Sequence, residues 1–198
     1  MSTIAAARIR YLQTRIARFE DQQAYKELYL TLYPALFNFI SGIVKSKPVA
    51  EEIISDVFIK VWEKRIDLDL IVNLNVYCYV IAKNLSFNHL EKQKRISTLN
   101  IDDFSDSLTE RFIDPEQLMI TSEMADRIRL AIDSLPARCK MIFTLVKENG
   151  FKYKEVAEIM NISDKTVENQ LAIALKKIST SINFDMSRSL RIILGSGH

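Results

Sequence analysis

Val156, Ala157, Ile159 and Met160 are available to one apolar helical face, which breaks at Asn161-Ile162-Ser163 and resumes as Val167, Leu171, Ala174, Leu175 and Ile178. Three- and four-residue steps on both sides of a three-residue break describe two helices joined by a tight turn. The residues of the break agree with that geometry. Ala157 is small where two helices must approach closely, Asn161 tolerates left-handed backbone, Ile162 is placed to fill the core, and Ser163 is a good cap for the next helix. The pattern predicts a helix-turn-helix, its first helix over residues 153–160 and its second beginning at Asp164.

The face of the second helix opposite its apolar stripe presents Asp164, Lys165, Glu168, Asn169, Ala172, Ile173 and Lys176, with Thr166 in the first turn. A helix-turn-helix sets the N-terminal half of its second helix in the major groove while the first crosses the backbone. Lys165 and Asn169 are then the candidates for base edges, because Lys reaches guanine and Asn pairs bidentately with adenine. Lys152, Lys154, Lys176 and Lys177 flank the face and would meet phosphates. Each phosphate neutralised adds about −0.9 to the slope of log affinity against log salt. An ordinary helical pair with solvated charges is the plainer alternative, and it leaves the agreement of small residue, turn, cap and apolar spacing unexplained.

Only four Gly and four Pro occur in 198 residues, which opposes a turn-rich β architecture and favours long helices, and 48% apolar residues are enough for a core. The net charge of +2 says nothing by itself about partners. Cys78 and Cys139 lie far apart within apolar helical patterns and read as reduced, buried thiols. With His89 and His198 the only histidines, no metal-ligand spacing exists, so no metal or other cofactor is expected. No apolar run approaches the roughly 18 to 20 residues of a membrane span. Arg8, Arg10, Arg15 and Arg18 precede any acidic residue, as in a transit peptide. Ile9, Leu12, Ile16 and Phe19 nevertheless form one stripe over residues 4–19, which favours a docked helix and a soluble, cytoplasmic chain.

Upstream, Tyr25, Leu28, Tyr29, Leu32, Leu36, Phe39, Ile40 and Ile43 predict an amphipathic helix that Pro34 should kink or split. A second helix starts near Pro48 and runs through Ile53, Ile54, Val57, Phe58, Val61 and Trp62. A third spans about residues 74–94 with Val76, Val80, Ile81, Leu85 and Leu90 inward. Composition then changes: residues 97–116 hold six acidic residues against Arg111 and read as a linker. Helices resume at Asp114-Pro115-Glu116-Gln117, with Ile120, Met124, Ile128, Ala131, Ile132 and Leu135 as a stripe. Pro136 opens a further helix that Asn149-Gly150 closes. The organisation is all-α: an N-terminal amphipathic helix (1–20), a first helical domain (21–96), an acidic linker (97–116), a helix-turn-helix domain (117–182) and an apolar tail (183–198).

Residues 24–29 (Ala-Tyr-Lys-Glu-Leu-Tyr), 50–62 (Ala-Glu-Glu-Ile-Ile-Ser-Asp-Val-Phe-Ile-Lys-Val-Trp) and 77–85 (Tyr-Cys-Tyr-Val-Ile-Ala-Lys-Asn-Leu) resemble the core of bacterial sigma factors. Residues 135–177 resemble their promoter-reading C-terminal domain. The two-domain form is similar to the extracytoplasmic-function (ECF) group of the sigma-70 family, over roughly residues 19–182 in the right order.

The resemblance implies three surfaces. The edge of the second helix with Glu52, Ser55, Asp56, Ile59, Lys60 and Glu63 would dock on core RNA polymerase. The third helix and the loop before it would capture unstacked bases of the −10 element, a task that needs aromatic platforms, amides and cations. Asn73, Asn75, Tyr77, Tyr79, Lys83, Asn84, Asn88, His89, Lys92, Lys94 and Arg95 lie in that segment. Tyr77 and Tyr79, two apart on a helix, do not face the same way, and either reads equally as a core aromatic. The helix from Asp164 would read the −35 element, although Glu168 and Ile173 stand where several relatives carry Arg, so guanine contacts do not transfer.

The sequence therefore points to a non-enzymatic specificity subunit that binds core RNA polymerase and promoter DNA and directs promoter recognition, melting and initiation. The resemblance alone implies an inhibitory, membrane-anchored anti-sigma partner, and there is no small-molecule substrate. The alternatives are a helix-turn-helix regulator that does not engage polymerase, and a sigma-like interaction protein that titrates a partner. An enzyme is disfavoured, since no Gly-rich phosphate loop and no nucleophile–base set is present.

Overall fold

The computed structural model describes residues 3–97 and 122–181, and among these there are helices and turns but no strand. The described residues fall into two units. The acidic linker, the cap expected at residues 114–117 and the apolar tail lie outside them.

The first unit contains α1 (Thr3–Phe19), α2 (Gln22–Val44), α3 (Lys47–Glu63), a 3-10 turn (Arg65–Leu70) and α4 (Leu74–Ser97). Helix α2 is central and packs against α1, α3 and α4. Its buried row Leu28, Leu32, Leu36, Phe39 and Ile40 meets Ile9, Leu12 and Ile16 of α1, or Ile54, Val57, Phe58 and Val61 of α3, as parts of one apolar core. Tyr25 ties the α2–α3 seam: its hydroxyl donates to the Phe58 carbonyl at 2.7 Å, and its ring lies edge-on to Trp62 at 4.9 Å. The α1 stripe ends at Ile16, and Phe19 is exposed.

The α1–α2 corner follows from local chemistry. Glu20 adopts positive φ (48°) and its N–H bonds to the Ile16 carbonyl, closing α1. Asp21 then caps α2, its carboxylate accepting from the N–H groups of Gln23 and Ala24 at 3.0 Å.

Three expectations are corrected. Pro34 does not split its helix: α2 runs unbroken through it. The ring sits on the exposed side, and burial of Leu28, Leu32, Leu36 and Phe39 on either side offsets a Pro cost of about 3 kcal/mol. In α4 the buried row is Cys78, Tyr79, Ala82 and Ser86, while Val80, Ile81, Leu85 and Leu90 are only half-buried. Finally, α2 is by length and composition apolar enough for a membrane span, with a window of mean hydropathy 1.3. Its apolar row is committed to the core, which accounts for that composition without a bilayer.

The second unit contains α5 (Ser122–Asp133), α6 (Ala137–Phe143), a π turn (Thr144–Glu148), α7 (Tyr153–Met160) and α8 (Asp164–Ser181). Helix α8 is the hub, packed on α5, α6 and α7. Ala131, Ile132, Leu135 and Cys139 are buried as expected and Ile142 and Phe143 are buried with them, whereas Ile128 is half-buried. The π turn was not anticipated: Asn149 N–H bonds to the Thr144 carbonyl at 3.0 Å, one residue beyond α spacing. Gly150 then takes φ 69°, which reverses the chain into α7.

Candidate nucleic-acid interface

Helix α7 begins with Glu155 accepting the Lys152 N–H at 2.8 Å. It ends in a Schellman closure: Asn161, at φ 53°, bonds back to Glu158, and Ile162 N–H to the Ala157 carbonyl at 3.0 Å. Ser163 caps α8 by accepting the Thr166 N–H at 3.1 Å. Ala157 is buried; Ile162 is half-buried rather than a core filler. These backbone and side-chain bonds fix the turn between α7 and α8.

With Val167, Leu171, Ala174 and Ile178 buried, α8 leaves Asp164, Lys165, Glu168, Asn169, Ala172, Ile173 and Lys176 exposed together. Lys152 and Lys154 are exposed on α7 and the turn before it. Thr166 is half-buried and its hydroxyl is shared with that of Ser163 at 2.8 Å, so it serves the cap rather than the outer face. Lys165 is not idle: its ammonium lies 2.7 Å from the Glu168 carboxylate. Beneath the face, Cys139 Sγ contacts Gln170 Oε1 at 2.8 Å, joining α6 to α8.

Helix α4 separates its candidates. Tyr79 is 1% exposed, with its ring centroid 5.0 Å from that of Phe39, and Asn75 is also buried. A ring or amide enclosed in this way offers no face to a base, so both are corrected to core positions. Tyr77 is half-buried, and Asn84 and Asn88 are exposed on the row that runs from it. Lys92 and Lys94 are exposed further along; Arg95 belongs to α4, its side chain lying outside the described residues. Half-burial pushes the Lys83 ammonium below the ordinary lysine value. Complete burial pushes the Cys78 thiol up to about 12, which keeps it protonated and inert.

On α3 all six edge residues, Glu52, Ser55, Asp56, Ile59, Lys60 and Glu63, are exposed, and Ile59 is 53% exposed amid them.

Two family models match the two units: sigma-70 region 2 over residues 28–96 and sigma-70 region 4 over residues 125–178. The chain belongs to the sigma-70 family, in its ECF group.

This sigma factor is 25% identical over 169 residues to the ECF RNA polymerase sigma-E factor of Escherichia coli K12, covering 82% of this chain and 88% of that one. It is 22% identical over 157 residues to the ECF sigma factor SigM of Bacillus subtilis, covering 79% and 94%. The fold is also that of the sigma factor RpoE of Bartonella quintana, solved in complex with the anti-sigma factor NepR, at a TM-score of 0.66 and 20% identity over 81% of this chain and 98% of that one. A second structure of the same fold is CnrH with the cytosolic domain of CnrY, at a TM-score of 0.61 and 19% identity over 90% and 99%. As a sigma factor the protein is not an enzyme; it directs promoter-specific transcription initiation with core RNA polymerase.

Sequence reasoning missed two features of this sigma factor. Phe87 is exposed beside Asn84 and Asn88, and its place three residues after Asn84 was the available signal. The turn before α4 exposes Ile66, Leu70 and Val72, Val72 by 95%; an apolar residue in a loop gives no periodic signal.

Proposed function

We propose that the two units divide promoter recognition between duplex and single strand. In the second unit, Lys165 and Asn169 read base edges of the −35 element. Asp164, Glu168, Ala172 and Ile173 line that contact, and Lys152, Lys154 and Lys176 bind phosphates. In the first unit, Tyr77 and Phe87 supply stacking faces for −10 bases, Asn84 and Asn88 supply amides, and Lys83, Lys92, Lys94 and Arg95 track the strand. Bases held in the unpaired state pull the opening equilibrium over. The exposed edge of α3 docks on core polymerase, and the protein works in the cytoplasm, where that polymerase is.

The observation that carries this reading is the face of α8: its apolar row is buried while the opposite row, polar but for Ala172 and Ile173, is exposed behind a capped N-terminus. The test is a pair of variants in reconstituted holoenzyme. Asn169→Ala should weaken binding to −35 duplex by about ten-fold, in line with about 1–3 kcal/mol for a bidentate base contact. Asn84→Ala should leave that binding intact and slow promoter opening. Equal effects of both variants on both steps would contradict the division.

We also propose an anti-sigma partner that occludes the α3 edge. Support comes from the two solved relatives, each held by a second protein, and from the resemblance, which makes that partner membrane-anchored. Addition of the host's membrane fraction should then suppress sigma-dependent transcripts, and excess sigma factor should restore them. Transcripts indifferent to the membrane fraction would remove the anchored partner.

A further inference from the structure

Helix α1 carries two rows. One is the apolar row Ile9, Leu12 and Ile16, which docks the helix. The other, Arg10, Gln13, Thr14 and Arg18, is polar and is spaced three, one and four residues apart, so it lies along one side of the helix. All four side chains end on the segment between α3 and α4. Gln13 is 1% exposed, and its amide donates to the Leu68 carbonyl and, at 2.7 Å, to the Ile71 carbonyl. Arg10 donates to the Ile71 carbonyl at 3.2 Å and the Asp69 carbonyl at 3.4 Å. Thr14 and Arg18 donate to the two oxygens of the Asp69 carboxylate at 3.2 and 2.9 Å.

A helix needs only its apolar row to dock. A second row aimed at the Leu68, Asp69 and Ile71 carbonyls and the Asp69 carboxylate does something more specific: it fixes the path of residues 68–71. That path delivers the exposed Leu70 and Val72, then Asn73, whose side chain accepts the Val76 N–H at 3.2 Å at the start of α4. We propose that α1 is a positioning element for promoter opening, with Gln13 as its central residue and the Arg18–Asp69 pair as its outer tie. It holds the segment ahead of α4 in the pose that meets the first unpaired base, so that this order is prepaid before DNA arrives. The proposal rests on the assignment of α4 to the −10 element.

The test uses full-length protein in holoenzyme on a promoter found by transcript-start mapping. Gln13→Met keeps the side-chain volume and removes the donor. Neither carbonyl is orphaned, because Leu68 O still accepts from Ile71 N–H at 3.0 Å and Ile71 O from Arg10. The variant should bind core polymerase within about two-fold of wild type and melt at a similar temperature, yet form open complexes about ten-fold more slowly by permanganate reactivity. The defect should shrink on a template already mismatched at −10, where unpairing is no longer required. Arg18→Ala, on the surface, should act in the same direction by about three-fold, and covers the case in which Gln13→Met fails to fold. Wild-type opening rates in both variants overturn the proposal. So does a parallel loss of core binding and melting temperature in both, which marks α1 as merely structural. Wild-type holoenzyme that reacts only outside −10, with α4 variants silent, removes the α4 assignment and the proposal with it.

Discussion

In the free chain the Lys165 ammonium is held by Glu168 one turn along α8, and both side chains are largely exposed. Such pairs stabilise a helix by only about 0.3–0.5 kcal/mol, so the pair matters less for stability than for what Lys165 does next. Any acceptor on DNA competes with Glu168, which also repels phosphate. Glu168→Gln should raise affinity for −35 duplex by about two- to five-fold at low salt and steepen the salt dependence by up to about one unit of slope. Anisotropy titrations over a KCl series measure both, and an unchanged affinity and slope would place Lys165 away from DNA. The two tyrosines of α4 differ more sharply. Tyr79→Ala should leave a core cavity costing about 3–5 kcal/mol and unfold the first unit at a lower temperature. Tyr77→Ala should keep the melting temperature near wild type and weaken capture of unpaired −10 DNA, since stacking is worth about 1–3 kcal/mol per base. The sequence could not separate them. Residues 76–81 are six apolar or aromatic residues in a row, which erases the helical phase that polar residues would have marked. The Gln13 contacts were equally illegible, because backbone carbonyls leave no trace in side-chain identity.

At the level of elements, legibility followed the strength of local signals. Helices α3 and α8 begin, and α7 begins and ends, within a residue or two of expectation because Pro48, Asn161 and Ser163 each have a defined role at a helix end. Ser163→Ala should therefore cost about 1 kcal/mol, read as a lower melting temperature of the second unit together with weaker −35 binding. A variant that keeps both would mean that the cap contributes nothing to the presentation of α8. Local signals failed at Pro34, where tertiary packing overrides the breaker, and at residues 144–148, where a wide turn carries no composition of its own. The carboxylates tied to α1 add a dependence on pH. Asp21 is held below the ordinary aspartate range chiefly by the Ala24 N–H and then by Arg15, and Asp69 chiefly by the Arg18 guanidinium, with Thr14 adding to it. A carboxyl whose folded pKa is depressed stabilises the fold above its unfolded value near 4 and loses that contribution as pH falls through the folded value. The first unit should thus lose stability below about pH 4. The double variant Asp21→Asn, Asp69→Asn should be less stable at neutrality but flatter on the acid side in thermal melts. An acid limb identical to wild type would assign the loss to other carboxylates.

For the whole molecule, the proposed division gives the two units complementary chemistry that neither would supply alone. In it the helix-turn-helix reads duplex but has no means to hold an unpaired base, and the amide and aromatic row of α4 holds unpaired bases but has no duplex-reading helix. The ordered pair of motifs was legible from the chain because each is a local pattern, and the family identification rests on that pair. The promoter sequence was not legible, since Glu168 and Ile173 depart from the residues that carry guanine contacts in several relatives. The central claim is that this chain selects transcription starts through both units. The direct measurement adds it to core RNA polymerase and fragmented genomic DNA of its host and sequences the transcript 5′ ends. The account predicts starts absent without the protein and preceded by two motifs at fixed spacing. Asn169→Ala should blur the upstream motif and Asn84→Ala the downstream one. Core polymerase bound by the protein, with transcript starts no different from those of core alone, would contradict it.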